Sequence, residues 1–120
     1  MRRILLGVLL LAAGPVLAGE ADVLKVEVRR DGDRTYSFDV TVRHADTGWK
    51  HYANKWDVVS LDGKTVFGTR TLFHPHENEQ PFTRSLSGVK IPPGHDAVVV
   101  RAHESVDGYG GKTVTVTIDK

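Results

Sequence analysis

The 120-residue chain has no cysteine, and Met1 is its sole methionine. Thiolate zinc sites, iron–sulfur clusters, covalently attached c-type haem and blue-copper centres all need cysteine, so none of them can form here. Any metal must be held by imidazole nitrogen and oxygen. No disulfide can brace the fold, although small exported domains commonly use them. Basic excess is missing as well. The 16 Lys and Arg face 15 Asp and Glu, and Arg2 and Arg3 lie in a segment expected to be removed. The remainder then carries one more acid than base and no basic stripe for phosphates, which argues against nucleic acid as a partner. A Gly-x-Ser-x-Gly elbow is also absent, which removes the usual serine-hydrolase signature.

Long apolar runs are scarce. The longest, residues 4–13, falls well short of the roughly 20 residues that span a bilayer. It follows Met1-Arg2-Arg3 and precedes Gly14-Pro15-Val16-Leu17-Ala18. That order of charge, apolar core and small residues marks a secretory signal peptide over residues 1–18, with cleavage after Ala18. No cysteine follows to take a lipid, so the mature chain, residues 19–120, is expected to be periplasmic or secreted, without membrane insertion. Its 102 residues suit one domain with one core.

What remains is rich in period-two alternation. Leu24, Val26 and Val28 alternate with Lys25, Glu27 and Arg29; Tyr36, Phe38, Val40 and Val42 alternate with Ser37, Asp39, Thr41 and Arg43. Such runs predict half-buried strands. Further strands are expected over residues 52–60, with Trp56 and Val58 inward, and over 65–73, 82–89, 97–103 and 112–118. The Asp62-Gly63 pair predicts a hairpin turn. About seven short strands and no helix predict an all-β, antiparallel two-sheet sandwich. The pattern over residues 22–119 resembles an immunoglobulin-like or fibronectin-III-like domain, with Trp56 where such domains bury a tryptophan on the third strand. The chain also resembles a group of small exported bacterial proteins. The resemblance implies that the third, fourth, sixth and seventh strands share a sheet.

Residues 73–81, Phe-His-Pro-His-Glu-Asn-Glu-Gln-Pro, concentrate two histidines and two carboxylates. Alternate connections of an up-and-down chain lie at the same end, so His44, His51, His74, His76 and His103 share one end and His95 takes the other. Asp46, Glu77, Glu79, Glu104 and Asp107 join the five. Strand parity turns His51, His74, His76 and His103 outward over the third strand, while His44 continues the inward row of Tyr36 to Val42. The expected metal ligands are therefore His51, His74, His76 and His103, with His44, Glu77, Glu79 and Glu104 as secondary candidates. Without sulfur ligands, copper(II) or zinc is the expected ion.

A second reading keeps the same loops, with Trp49, Tyr52 and Tyr109, as a metal-free surface for a periplasmic protein or glycan. Ser105 near His103 and Asp107 has the residue types of a triad, but neighbours along one segment need not face one another. Gly108-Tyr109-Gly110-Gly111-Lys112 opens a strand, not a helix, which predicts a hairpin turn instead of a phosphate loop. No pattern identifies catalytic residues or a substrate, and binding is the expected role.

Overall fold

The computed structural model describes residues 20–118; the expected signal segment lies outside them. Strands β1 (Asp22–Gly32) and β2 (Thr35–Arg43) form an antiparallel hairpin, and β5 (Phe82–Lys90) pairs with the other edge of β2. The second sheet is built on β3 (Ala53–Val59), flanked by β4 (Val66–Thr71) and β6 (Ala97–Glu104). Beyond β6 lie β7 (Gly108–Tyr109) and β8 (Val114–Thr117), which pair with different parts of it. The strand order is thus β1-β2-β5 in one sheet and β4-β3-β6 with β7 and β8 in the other.

Alternation explains the core. Tyr36, Phe38, Val40 and Val42 from the first sheet are buried, as are Trp56, Val58, Val98, Val100, Val114 and Val116 from the second. They form one hydrophobic cluster between the sheets. Each such side chain contributes about 1.5–3 kcal/mol on burial. As expected, the third, fourth and sixth strands and the strand ending near Ile118 share a sheet. The eighth strand is the short β7, formed where a hairpin turn alone was expected.

The fourth strand ends earlier than expected, and Phe73, the last residue of the expected span 65–73, is 75% exposed. Pairing of β4 stops at Thr71, and Leu72 takes the inward place, its N–H donating to the Asn54 carbonyl at 2.9 Å.

The lower end holds the β1–β2 turn, where Arg34 adopts φ 54°. Its guanidinium offsets that strained backbone by donating to the carbonyls of Ile91, Pro92 and His95 at 2.8, 2.8 and 3.2 Å. The expected Asp62-Gly63 turn is here too, with Gly63 at φ 77°. Chain connections at the upper end carry the polar residues described next.

Candidate metal centre

Two inward rows run into the upper end and finish on polar residues. In the first sheet Val40 and Val42 are followed, two residues on, by His44, which is 2% exposed. In the second, Val98, Val100 and Ala102 are followed by Glu104, fully buried. Side chains at i and i+2 share a face, so a histidine and a glutamate from opposite sheets both face the interior.

His51 joins them through a β-bulge. Ala53 pairs with Glu104 and Lys55 with His103, so Asn54 is an extra residue on β3. An inserted residue reverses parity on its far side. Ala53 is therefore buried, and His51, expected to point outward, turns in. A tight turn completes its placement: the His51 N–H donates to the Gly48 carbonyl at 3.1 Å, and the Thr47 N–H to the His51 carbonyl at 3.0 Å. Gly48 sits at φ 129°, a conformation suited to glycine.

The geometry is close. His44 Nε2 lies 3.3 Å from His51 Nε2, and His51 Nε2 lies 3.0 Å from Glu104 Oε1. All three donor atoms fall within 4.8 Å of one another. Ligands held at about 2.0–2.1 Å in a tetrahedron around zinc stand roughly 3.3 Å apart. The two separations involving His51 Nε2 are close to that value.

The electrostatics also suit a cation. Glu104 takes the backbone N–H groups of Val106 and Asp107, both at 2.8 Å. Burial opposes its ionisation, but these N–H groups, with Asp107 and His51, outweigh burial and hold its pKa below the ordinary glutamate value. Asp46, also buried, takes His44 Nδ1 at 2.6 Å, the Ala53 N–H at 3.0 Å and the His76 N–H at 2.6 Å. Among the described residues no lysine or arginine pairs with either carboxylate; their ionic neighbours are the histidines. Buried carboxylates need a compensating charge or strong hydrogen bonds.

The remaining expected ligands stand apart from this group. His76 is buried, stacked on Phe82 at 3.9 Å between ring centroids, with Nε2 taking a hydrogen bond from Arg84 at 3.1 Å. Burial, followed by Arg84 and His74, lowers its pKa. His74 is exposed, its ring 4.6 Å from that of His76. His103 faces outward as expected. Its Nδ1 meets Asn54 Oδ1 at 2.7 Å and its ring meets Tyr109 edge-on at 4.7 Å; burial, then Lys55, lowers its pKa. Glu79 bonds Arg84 at 3.0 Å. Glu77 Oε2 would stand 3.5 Å from a Cβ added at Gly48, so its loop borders the one carrying His51. Thus His51, His74, His76 and His103 do not converge; His51, His44 and Glu104 do.

Trp49 and Tyr52 meet edge-on at 5.5 Å beside this end. Tyr109 instead covers the outer face of the second sheet. Its hydroxyl donates to the buried Asp57, and the Arg101 guanidinium stacks 4.1 Å from its ring centroid.

No protein-family model matches the chain, and no solved structure matches it. The chain is similar to a protein described as "Putative lipoprotein" from Halomicrobium mukohataei, 41% identical over 97 residues. The alignment covers 81% of this chain and 47% of the relative, so the chain spans about half that protein's length.

Proposed function

We propose that this chain is an exported, immunoglobulin-like sandwich that binds one divalent transition metal, copper(II) or zinc, through His44, His51 and Glu104. One observation carries the reading: two imidazole nitrogens and a carboxylate oxygen from opposite sheets lie within 4.8 Å of one another. Imidazole and carboxylate without sulfur suit zinc or copper(II), and three protein ligands leave a position for water or a further donor. The bound ion would compensate the Asp46 and Glu104 carboxylates. The relative's description as a lipoprotein supports export, as does the N-terminal signal pattern, and the location proposed here is periplasmic or secreted. The strand order supports the immunoglobulin-like assignment. The ion would be held for storage, delivery or sensing.

The test uses mature protein without a histidine tag, with metal content and calorimetric titration of zinc and copper(II). One equivalent is expected to bind. His44→Ala, His51→Ala and Glu104→Gln each lose affinity by 10-fold or more, whereas His74→Ala and His103→Ala retain it. Failure of the wild type to bind, or binding that survives loss of both His44 and His51, refutes the proposal.

A second reading rests on Trp49, Phe73 and Val106, which are 66%, 75% and 60% exposed on three upper loops. They would form a metal-free contact surface for a periplasmic protein or glycan partner. Ser substitutions at all three that leave partner capture intact would exclude it.

A further inference from the structure

We infer that Asp46 fixes His44 in its Nδ1–H tautomer and so turns an unprotonated Nε2 toward the centre, and that residues 74–81 act as the frame for this pair. The role as a metal device rests on the reading above; the tautomer does not. Asp46 is a positioning residue, and His76 and Gln80 support it without ligating.

The carboxylate of Asp46 faces donors on both oxygens. Oδ1 receives His44 Nδ1 at 2.6 Å and the Ala53 N–H at 3.0 Å, and Oδ2 receives the His76 N–H at 2.6 Å. A carboxylate oxygen that close to a ring nitrogen requires the hydrogen on that nitrogen. In neutral imidazole the other nitrogen then carries no hydrogen and is an acceptor. That nitrogen, His44 Nε2, is the one 3.3 Å from His51 Nε2. A carboxylate behind a ligating imidazole fixes its tautomer and orientation and raises its basicity.

The segment dense in histidine acquires a different purpose from this geometry. Gln80 Oε1 accepts the His44 backbone N–H at 2.9 Å, and Gln80 Nε2 donates to the His76 carbonyl at 3.0 Å. His76 in turn gives its backbone N–H to Asp46. One amide and one backbone group thus tie residues 44, 46 and 76 into a closed ring of contacts. The His76 ring supplies no ligand to it. Its Nε2 is taken by Arg84, which leaves the hydrogen on Nδ1, a buried atom without a hydrogen-bond partner and 4.0 Å from Asp46 Oδ2. Stacking on Phe82 anchors the ring and hence the backbone N–H.

The experiment begins on metal-free, 15N-labelled mature protein near pH 7.5, with long-range proton–nitrogen correlations of the histidine rings. His44 is expected as the Nδ1–H tautomer, the less populated form of a free imidazole. Asp46→Asn should shift it toward Nε2–H and weaken zinc binding 10- to 100-fold. Asp46→Glu should recover part of both. Gln80→Ala should weaken zinc several-fold, and His76→Phe, which keeps the backbone N–H and the stacking, should change affinity less than 10-fold. An Nε2–H His44 in the wild type overturns the inference and needs no variant to fold. Loss of binding in His76→Phe with an unchanged His44 tautomer also overturns it, because His76 would then be a ligand. An Nδ1–H His44 that responds to Asp46→Asn, in a protein that binds neither zinc nor copper(II), upholds the positioning and refutes the metal reading alone.

Discussion

His44 and His51 approach to 3.3 Å between their Nε2 atoms, one from the end of β2 and the other from the loop that enters β3. With the His44 hydrogen committed to Asp46 through Nδ1, the hydrogen between these nitrogens belongs to His51. Among the described residues His44 Nε2 and Glu104 Oε1, the latter at 3.0 Å, both stand within its reach. A cation in its place, as proposed, would engage all three atoms at once and tie the two sheets together.

Metal should therefore stabilise the fold. At 100 times the dissociation constant, a ligand bound only by the native state adds about 2.7 kcal/mol. For a domain of this size that corresponds to a rise in Tm of about 10 °C or more. Differential scanning calorimetry with and without zinc reads the shift, and His44→Ala should abolish it.

Glu104 should matter in the metal-free protein as well. Replacement by Ala leaves the Val106 and Asp107 N–H groups without their acceptor, at a cost of about 1–3 kcal/mol in urea unfolding. Its folded-state pKa is depressed, so on acidification the unfolded chain takes up the proton first. The contribution is fully present above the ordinary glutamate pKa of about 4.3 and is lost as pH falls below it. Glu104→Gln should flatten the stability profile in that acidic window.

His76 and His103 give a second acid-sensitive window. Burial lowers both pKa values in the folded state, so protons bind preferentially to the unfolded chain as pH drops through about 6.5. Metal-free protein should lose stability from pH 7.5 toward 5.5, measured by urea midpoints. The combination of His76→Phe with His103→Gln should reduce that slope.

Tyr109 should resist ionisation. Burial and then its bond to Asp57 raise its pKa. A spectrophotometric titration should show Tyr109 ionising above the usual value near 10, and Tyr109→Phe should remove that step. The same substitution deprives the buried Asp57 of a donor and should lower stability by about 1 kcal/mol.

Deleting Asn54 should erase the bulge and return β3 to regular pairing against β6. His51 would then face outward. Circular dichroism should still report a β fold, while zinc affinity falls 10-fold or more.

The alternation of Val40 and Val42, of Trp56 and Val58, and of Val98 and Val100 was enough to place the strands, their inward faces and the upper end. Two of the three members of the central group were legible in the same way. His44 and Glu104 simply extend inward rows, and an inward histidine at one sheet's end facing an inward glutamate at the other's was the available signal. His51 was not legible. A single extra residue at Asn54 flips the parity of everything before it, and nothing in Tyr-Ala-Asn-Lys marks a bulge. The density of histidine in residues 73–81 points to that loop as a source of ligands, whereas its side chains take other roles. Pairing of β4 ends early, so His74 follows no strand phase, and His76 is taken up by Phe82, Arg84 and the support of Asp46.

The lower end is closed differently. Arg34 holds three carbonyls from the β5–β6 connection with an always-charged guanidinium. That latch pairs backbone carbonyls with a guanidinium that stays charged in mild acid, whereas the upper closure is built from histidines and buried carboxylates. The two ends of the sandwich are thus closed by different chemistry, and in metal-free protein amide exchange near Ala53 and His76 should outpace exchange near Ile91.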